Sequence, residues 1–473
     1  MIRTAYSHYY LVGIKGVAMT SLAQILLDAQ CAVSGCDTAE DFVTKKQLDL
    51  AQVHIDVGFS HSVPAGTDCV IYTAAHQGIE NPVVQNAVQQ GIPVFSQAEA
   101  LAAFFNEKQG IAVCGVGGKS TTAAMITWIL EKTGKSPSYS VGVGEIQGLD
   151  HTGCWNTTSQ YFVAEADEYA SNPTEMKKGA SLIPRFEYLT PAYTVCTNIA
   201  YDHPDVYSSI DHTRQVFTRF FEQLKPNGVL FCSEKTRSEL QLTRTDIQCI
   251  TCGAEDSADY QYTITSPEAY AAPRVQILDK KNNQTQQLQM LVPGPHNVMN
   301  ATYAIAACAA IGITITESCK ALAGFASTKR RFEFMGEKNG VVFYDDYAHH
   351  PSEIAMVIAT LKKWFPGKRG VIAFQSHTFS RTKQLFSEFV EVLAQADEVV
   401  MIDIFPSARE AFDETVSSDS LCAALHEKAP QLAVQNVHTL ENLAEFLTHS
   451  VSAGAVCVTV GAGDIYKVHD LIH

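Results

Sequence analysis

The run Gly115-Val-Gly-Gly-Lys-Ser-Thr-Thr122 follows an apolar stretch at 111–114 and precedes a helical pattern that runs through Leu130. A strand, a glycine turn and a helix in this order form a phosphate cradle. The glycines (Gly115, Gly117, Gly118) let backbone N–H groups approach an anion, and the helix N-terminus adds partial positive charge. In such a cradle Lys119 addresses the β/γ-phosphates, and the hydroxyl of Ser120 or Thr121 ligates Mg2+. The full Walker spacing requires glycine at position 113, where Val113 stands, so the loop is a shortened variant. Strand and helix patterns alternate on both sides of it, which predicts an α/β fold.

At roughly 150 residues per domain, 473 residues predict about three domains. The first opens with a strand at 9–14, the turn Gly13-Ile14-Lys15-Gly16 reaching Met19, a helical pattern through Leu22, Ile25 and Leu26, and a strand at 31–34. Asp37 lies about twenty residues beyond the turn, a partial match to a dinucleotide-binding β-α-β unit, since the glycine spacing is not G-x-G-x-x-G. A strand at 70–73, a helix at 81–90, a strand at 93–95 and a helix at 98–105 continue the alternation. Polar composition at 106–110 sets the first boundary, giving 1–107. A central domain at 108–326 carries the cradle, strands at 161–164, 193–197 and 229–232, polar β-like runs at 246–289, and an Ala-rich helix at 297–312. The third domain, 327–473, opens after Arg330-Arg331, with strands at 341–344, 370–374, 398–402 and 456–460.

Charge limits the partners. Lys and Arg total 34 against 50 Asp and Glu, a net −16. Nucleic acid and anionic membranes call for basic surface, so neither is an expected partner. Phosphates must instead be met by local devices: backbone N–H groups, single cations or a metal. The 13 Cys follow no framework spacing, and the close pair Cys249 and Cys252 lacks a second pair; it reads as a strand end entering Gly253. No apolar run reaches the roughly 18 residues of a spanning helix, and no signal peptide is evident, so a cytoplasmic protein is expected.

Chemistry-bearing residues recur at strand ends. Glu165-Ala-Asp-Glu168 ends one apolar strand, and Asn198-Ile-Ala-Tyr-Asp202-His203-Pro-Asp205 follows another. Carboxyl edges of strands are where open α/β sheets bind ligands, so Glu168 and His203 are candidates for a metal or phosphate. Pro293-Gly-Pro-His296-Asn297-Val-Met-Asn300 begins a helix, which His296 or Asn297 could cap, while Asn300 suits recognition of a base edge. Arg330-Arg331 sit at a domain junction, within reach of phosphates. Asp345-Asp346-Tyr347-Ala-His349-His350-Pro351 and Gln375-Ser-His377-Thr-Phe-Ser-Arg381 follow further strands. Arg381 suits a carboxylate, which its fork grips with two hydrogen bonds.

In order, HYYLVGIKGVAMTSLA, GVGGKSTT, EADE, NIAYDHPDVY, PGPHNVMNATYAIAA, RRFE, YDDYAHHPSEI, FQSHTFSRT and VGAGDI resemble the Mur ligase family, the ATP-dependent amide-bond-forming enzymes of peptidoglycan precursor synthesis. The resemblance spans nearly the whole chain. It implies three α/β domains: a Rossmann-like N-terminal domain for the UDP part of the substrate, a central ATP-binding domain, and a Rossmann-like C-terminal domain that closes over the site. It places Gly13, Ile14, Gly16, Met19, Asp37 and Thr73 at the UDP substrate. Lys119 meets the ATP phosphates, and Ser120, Thr121, Glu168 and His203 surround Mg2+, for which Mn2+ can substitute. Asn297 and Asn300 read adenine, and Arg331, Asp346 and His349 approach the nucleotide. Tyr347, His377 and Arg381 receive the amino acid.

The implied reaction joins L-alanine to the lactyl carboxylate of UDP-N-acetylmuramate through an acyl phosphate, in a monomer or homodimer. Attachment of a recycled murein peptide is the alternative within the family. A nicotinamide-dependent oxidoreductase, from the first β-α-β unit, and a Mur-like binding protein without turnover are the others. Several positions depart from the family pattern. Val116 and Gly117 stand where the loop usually has Thr and His, which predicts fewer contacts to the nucleotide. Tyr169 and Ala170 stand where alanine-adding members have Ser and Asp, the run 172–186 is longer, and Thr378 stands where they tend to have Arg.

Overall fold

The computed structural model describes residues 5–40, 42–203, 205–265, 273–292, 294–406 and 412–472. Pro204 and Pro293, which stand in two of the motifs above, lie outside the described residues. The strands gather into three sheets. The first is wholly parallel, in spatial order His54–Val57, Ala32–Asp37, His8–Val12, Cys69–Tyr72 and Val94–Ser96. The third orders Glu333–Lys338, Val341–Asp346, Val456–Val460, Gly370–Phe374, Glu398–Met401 and Ala433–Asn436, parallel except for its first strand.

The middle sheet centres on four parallel strands, Tyr161–Glu165, Gln109–Cys114, Tyr193–Cys196 and Val229–Cys232. It extends through Gln248–Gly253 into antiparallel strands Tyr260–Ile264, Arg274–Asp279 and Gln284–Gln289. Those are the polar β-like runs, half-buried ribbons that leave one face wet. Residues Ile111–Cys114 are completely buried, as a parallel strand covered on both faces requires. Helix Lys119–Lys132 is buried from Ser120 to Leu130 and packs on the Ala-rich helix Pro295–Ala310, whose small side chains permit close approach.

Most strands lie within two residues of the spans that the sequence pattern predicts. The second strand runs on to Asp37 rather than stopping at Ser34, and Asp345 and Asp346 end their strand rather than following it. The antiparallel edge strand Glu333–Lys338 was not foreseen, because Arg330-Arg331 read only as a junction. One core runs from the first sheet into the second, with Tyr9, Leu11, Phe104 and Phe105 clustering with Phe162, Phe217 and Phe221. No described helix is long and apolar enough to cross a membrane.

Candidate active site

The phosphate loop and both acid stations lie at the carboxyl edge of the middle sheet, because parallel strands deliver all their outgoing loops to one side. Gly118 turns the chain into helix Lys119–Lys132 at φ +84, and a Cβ there would stand 2.7 Å from Asn300 Oδ1. Its neighbours hold the loop from the adjacent strand: Gly117 N–H donates to Asn198 Oδ1 at 2.9 Å, and the Thr197 hydroxyl donates to the Gly117 carbonyl at 2.6 Å. The loop therefore keeps its shape without the Thr and His side chains that positions 116 and 117 lack.

Lys119 Nζ donates to both oxygens of Glu168, at 2.9 and 2.8 Å; Glu168 is buried, and the Lys119 side chain keeps about 13% of its surface exposed. Burial opposes the charged ammonium, but the carboxylates of Glu168, Asp167 and Glu165 outweigh it and hold Lys119 above its ordinary range. The Ser120 hydroxyl donates to Glu165 Oε1 at 3.1 Å, and Thr121 is buried in the first helical turn. His203 Nε2 lies 3.9 Å from Glu168 Oε1, with a strained left-handed backbone at φ +54. Burial lowers the His203 pKa, favouring the neutral imidazole. Among the described residues, no three His, Cys, Asp or Glu side chains gather into a metal-binding group.

The C-terminal sheet presents its own carboxyl edge to this centre. Arg331 Nη2 approaches Ser120 Oγ to 3.4 Å, Nη1 lies 3.9 Å from Glu353 Oε1, and the guanidinium stands 5.2 Å from the Tyr347 ring centroid. Arg381 Nη2 donates to Asp202 Oδ1 at 3.2 Å, and its Nη1 lies 3.4 Å from His377 Nδ1. His349 is held by the Tyr347 carbonyl, 3.0 Å from Nδ1, and burial followed by the Arg381 charge pushes its pKa down to about 4. Asp346 spends its oxygens on two backbone donors, Phe332 N–H at 2.8 Å and Ala348 N–H at 2.7 Å. It shapes the loop that carries Tyr347 and His349. His350 caps helix Pro351–Trp364 and reaches the Tyr201 carbonyl at 3.2 Å.

Asn300 Nδ2 donates to Asn297 Oδ1 at 3.1 Å, so the two amides form one unit beside Gly118. The expected side-chain cap is absent: helix Pro295–Ala310 begins after Gly294, and neither His296 nor Asn297 caps it. Pro295 at the first position already removes one orphan donor. The His296 ring is part-exposed, yet its Nδ1 is sealed without a partner. Burial pushes its pKa down to about 4, with Glu353 pulling up and Arg331 pushing down. The unfolded chain takes up this proton near pH 6.5 and the folded one only near pH 4, so stability falls as pH drops through that window and is flat above it. Allowing for the part-exposed ring, the loss is about 2–3 kcal/mol. Chemical denaturation of His296→Gln between pH 4 and 7 should show a shallower pH slope than the unmodified chain; parallel slopes contradict the assignment.

The N-terminal sheet edge lies across from the middle one. Gly13 adopts φ +82 against the Thr73 side chain, and Gly16 precedes helix Val17–Asp28. Ile14 and Met19 are core residues, so their side chains shape the turn from behind. Asp37 accepts Lys15 N–H at 2.7 Å and Thr38 N–H at 2.8 Å, with His76 Nε2 3.7 Å away. The acid that a nicotinamide reading needs for a ribose is committed to closing the glycine turn.

Four participants were not singled out from sequence. Glu165 and Asp202 stood inside quoted motifs, but nothing local marks their partners, Ser120 and Arg381. Asn198 is recognisable only once its strand is placed beside the loop. Glu353 had a readable signal, three residues after His350 in a capping-box spacing.

Three family profiles match consecutive parts of the chain: Mur ligase family, catalytic domain over 8–109, Mur ligase middle domain over 113–308, and Mur ligase, glutamate ligase domain over 330–463. The chain is 33% identical to a UDP-N-acetylmuramate–L-alanine ligase of Desulfitobacterium hafniense, over 98% of each chain. It is 34% identical to one of Acetivibrio thermocellus, over 98% of this chain and 95% of the other. The fold matches the crystal structure of the UDP-N-acetylmuramate-alanine ligase of Thermotoga maritima with a TM-score of 0.77 at 25% identity, covering 98% of both chains. A murein peptide ligase of Psychrobacter arcticus shares the fold, with a TM-score of 0.71 at 22% identity and 98% coverage of both. With all three domain types in order and relatives aligned end to end, the chain belongs to the Mur ligase family.

Proposed function

We propose that the chain is an ATP-dependent ligase joining L-alanine to the lactyl carboxylate of UDP-N-acetylmuramate. The observation that carries this reading is the Lys119–Glu168 pair at the mouth of the phosphate loop, around which the C-terminal unit brings Arg331 to Ser120 and Arg381 to Asp202. The names of relatives at 33–34% identity support it. In this reading the segment 1–107 holds the UDP part at the Gly13–Gly16 turn, with Asp37 and Thr73 fixing the turn. The segment 108–326 binds ATP, and 327–473 brings in the amino acid.

Lys119 transfers its contacts from Glu168 to the β/γ-phosphates when nucleotide arrives. The released carboxylate, the Ser120 hydroxyl and the His203 imidazole form a sparse, mostly oxygen donor set. That set fits Mg2+, which takes few protein ligands and retains phosphate oxygens and water. Bound there, the ion would offset charge on the transferring phosphoryl group. A lactyl carboxylate oxygen attacks the γ-phosphorus, the bond to the β-bridging oxygen breaks, and ADP leaves an acyl phosphate. Lys119 and Arg331 stabilise the charge of that transfer. The amine of the amino acid attacks the acyl carbon, loses a proton to the neutral imidazole of His349, and expels phosphate. Arg381 and His377 orient its carboxylate, with Tyr347 lining the approach. Asn297 and Asn300 meet the adenine.

The test is ADP and phosphate release from ATP and UDP-N-acetylmuramate, screened over L-Ala, L-Ser, Gly and L-Ala-γ-D-Glu-diaminopimelate. The reading expects release that needs the nucleotide sugar and is fastest with L-Ala. Preference for the tripeptide replaces L-alanine by a recycled peptide, and no release with any acceptor overturns the ligase reading.

A further inference from the structure

The segment 172–186 plays no part in the mechanism above, yet it is tied to both ends of the cleft. At one end its helical turn Pro173–Met176 reaches the N-terminal unit: Thr174 Oγ1 donates to the Gln77 carbonyl at 3.2 Å, and Lys178 pairs with Glu80. Gln77 directly follows His76, which faces Asp37 in the glycine turn. At the other end the chain returns alongside the acid station. Ser171 N–H bonds the Ile183 carbonyl at 2.8 Å, Arg185 N–H the Tyr169 carbonyl at 3.0 Å, and Phe186 N–H the Asp167 carbonyl at 3.0 Å. Arg185 is thereby laid beside Asp167, the residue before Glu168.

Its guanidinium is fixed from two sides. Nη1 donates to Asp167 Oδ2 at 2.7 Å, and the carbon of the fork stands 5.6 Å from the Tyr169 ring centroid. That ring is edge-on to His203 at 4.8 Å, and its hydroxyl is anchored on Asp205 at 2.7 Å. The Arg185 side chain keeps about a fifth of its surface exposed, and among the described residues no other group bonds its remaining N–H donors. An oriented, partly desolvated fork with open donors is built for a second carboxylate.

From this geometry we infer that Arg185 is a specificity-determining residue that grips the carboxylate of the nucleotide-sugar substrate and turns it towards the γ-phosphate. The inference rests on the ligase reading above. A nucleotide sugar anchored at the Gly13–Gly16 turn and reacting at Lys119 must cross the gap that 172–186 bridges, and its acid end meets Arg185. Tyr169 is the platform for the guanidinium, which gives the departure from Ser at that position a physical role.

The test compares Arg185→Ala, Arg185→Gln and Arg185→Lys in the full chain, with UDP-N-acetylglucosamine as a competitive ligand that lacks the carboxylate. A charge-assisted contact of this kind predicts a rise of tenfold or more, on the order of 10–100, in KM for UDP-N-acetylmuramate in Arg185→Ala and Arg185→Gln. KM for ATP and L-Ala and the inhibition constant of UDP-N-acetylglucosamine should change less than about twofold, with partial recovery in Arg185→Lys. An unchanged KM, or an equal loss for both nucleotide sugars, overturns the inference. Calorimetric titration of the two nucleotide sugars reads the same differential without turnover. An inactive wild-type chain would therefore sink the ligase reading while this contact is still judged on its own.

Discussion

Lys119→Ala is expected to lower kcat by about 10³-fold or more, since the ammonium is the one cation inside the phosphate loop and acts where charge develops during phosphoryl transfer. The same substitution also acts on stability. Glu168 is buried with its two oxygens on Lys119, and burial already pushes its pKa up to about 7, so removing the amine leaves an unpaired acid that costs about 3–5 kcal/mol while ionised and less as it takes up a proton. The two effects separate in Lys119→Ala/Glu168→Gln. Thermal melting should recover most of the lost stability there, because no unpaired charge remains, while turnover stays lost. Activity within tenfold of wild type in Lys119→Ala would contradict the role given to the loop.

Arg330→Met should be the most destabilising single change among the adjacent pair of arginines, whereas Arg331→Ala should spare stability and damage ATP use. Arg330 is buried, with Nε on Asp345 Oδ2 at 2.9 Å, Nη1 on the Gly463 carbonyl at 3.0 Å and Nη2 on the Gly461 carbonyl at 2.6 Å. Its plane also covers Tyr466 at 4.4 Å. Methionine leaves Asp345 buried with the Thr459 hydroxyl as its remaining side-chain donor and orphans two carbonyls, a loss of about 3–5 kcal/mol, or roughly 10 °C in melting temperature. Arg331 faces Ser120 across the cleft, with Glu353 of its own unit 3.9 Å away, and supports nothing comparable. Its truncation should raise KM for ATP about tenfold or more with melting unchanged within about 2 °C. Equal melting shifts for the two variants would show that the division of labour is wrong.

That division marks where sequence reasoning stops. Arg330 and Arg331 are adjacent and chemically identical, and the backbone decides between them. Arg330 sits at φ +62 and Phe332 at φ +49, so successive side chains are thrown to opposite sides in a way no periodicity announces. The stations themselves were legible because a parallel sheet sends every outgoing loop to one edge, and a loop rich in Gly, Lys, Asp and His after an apolar run stands out. The pairings between stations were not. Arg381 meets Asp202 across 179 residues and Arg331 meets Ser120 across 211, distances over which local pattern carries no information. The start of helix Pro295–Ala310 differs from its expectation for a local reason: His296 and Asn297 look like caps, but Gly294 takes the cap position and Pro295 the first helical one, which puts both residues inside the helix. Segment 172–186 was visible as an extra run, and its meaning emerged only from the hydrogen bonds that fold it back along Asp167–Ser171.

Activation of the substrate carboxylate as an acyl phosphate can be followed by isotope transfer. UDP-N-acetylmuramate carrying ¹⁸O in its lactyl carboxylate is turned over with ATP and L-Ala, and the released phosphate is examined by mass spectrometry. The mechanism predicts one ¹⁸O in each phosphate formed from doubly labelled carboxylate, because the carboxylate oxygen that attacked phosphorus leaves with it. Phosphate free of label, with amide product still formed, would contradict it.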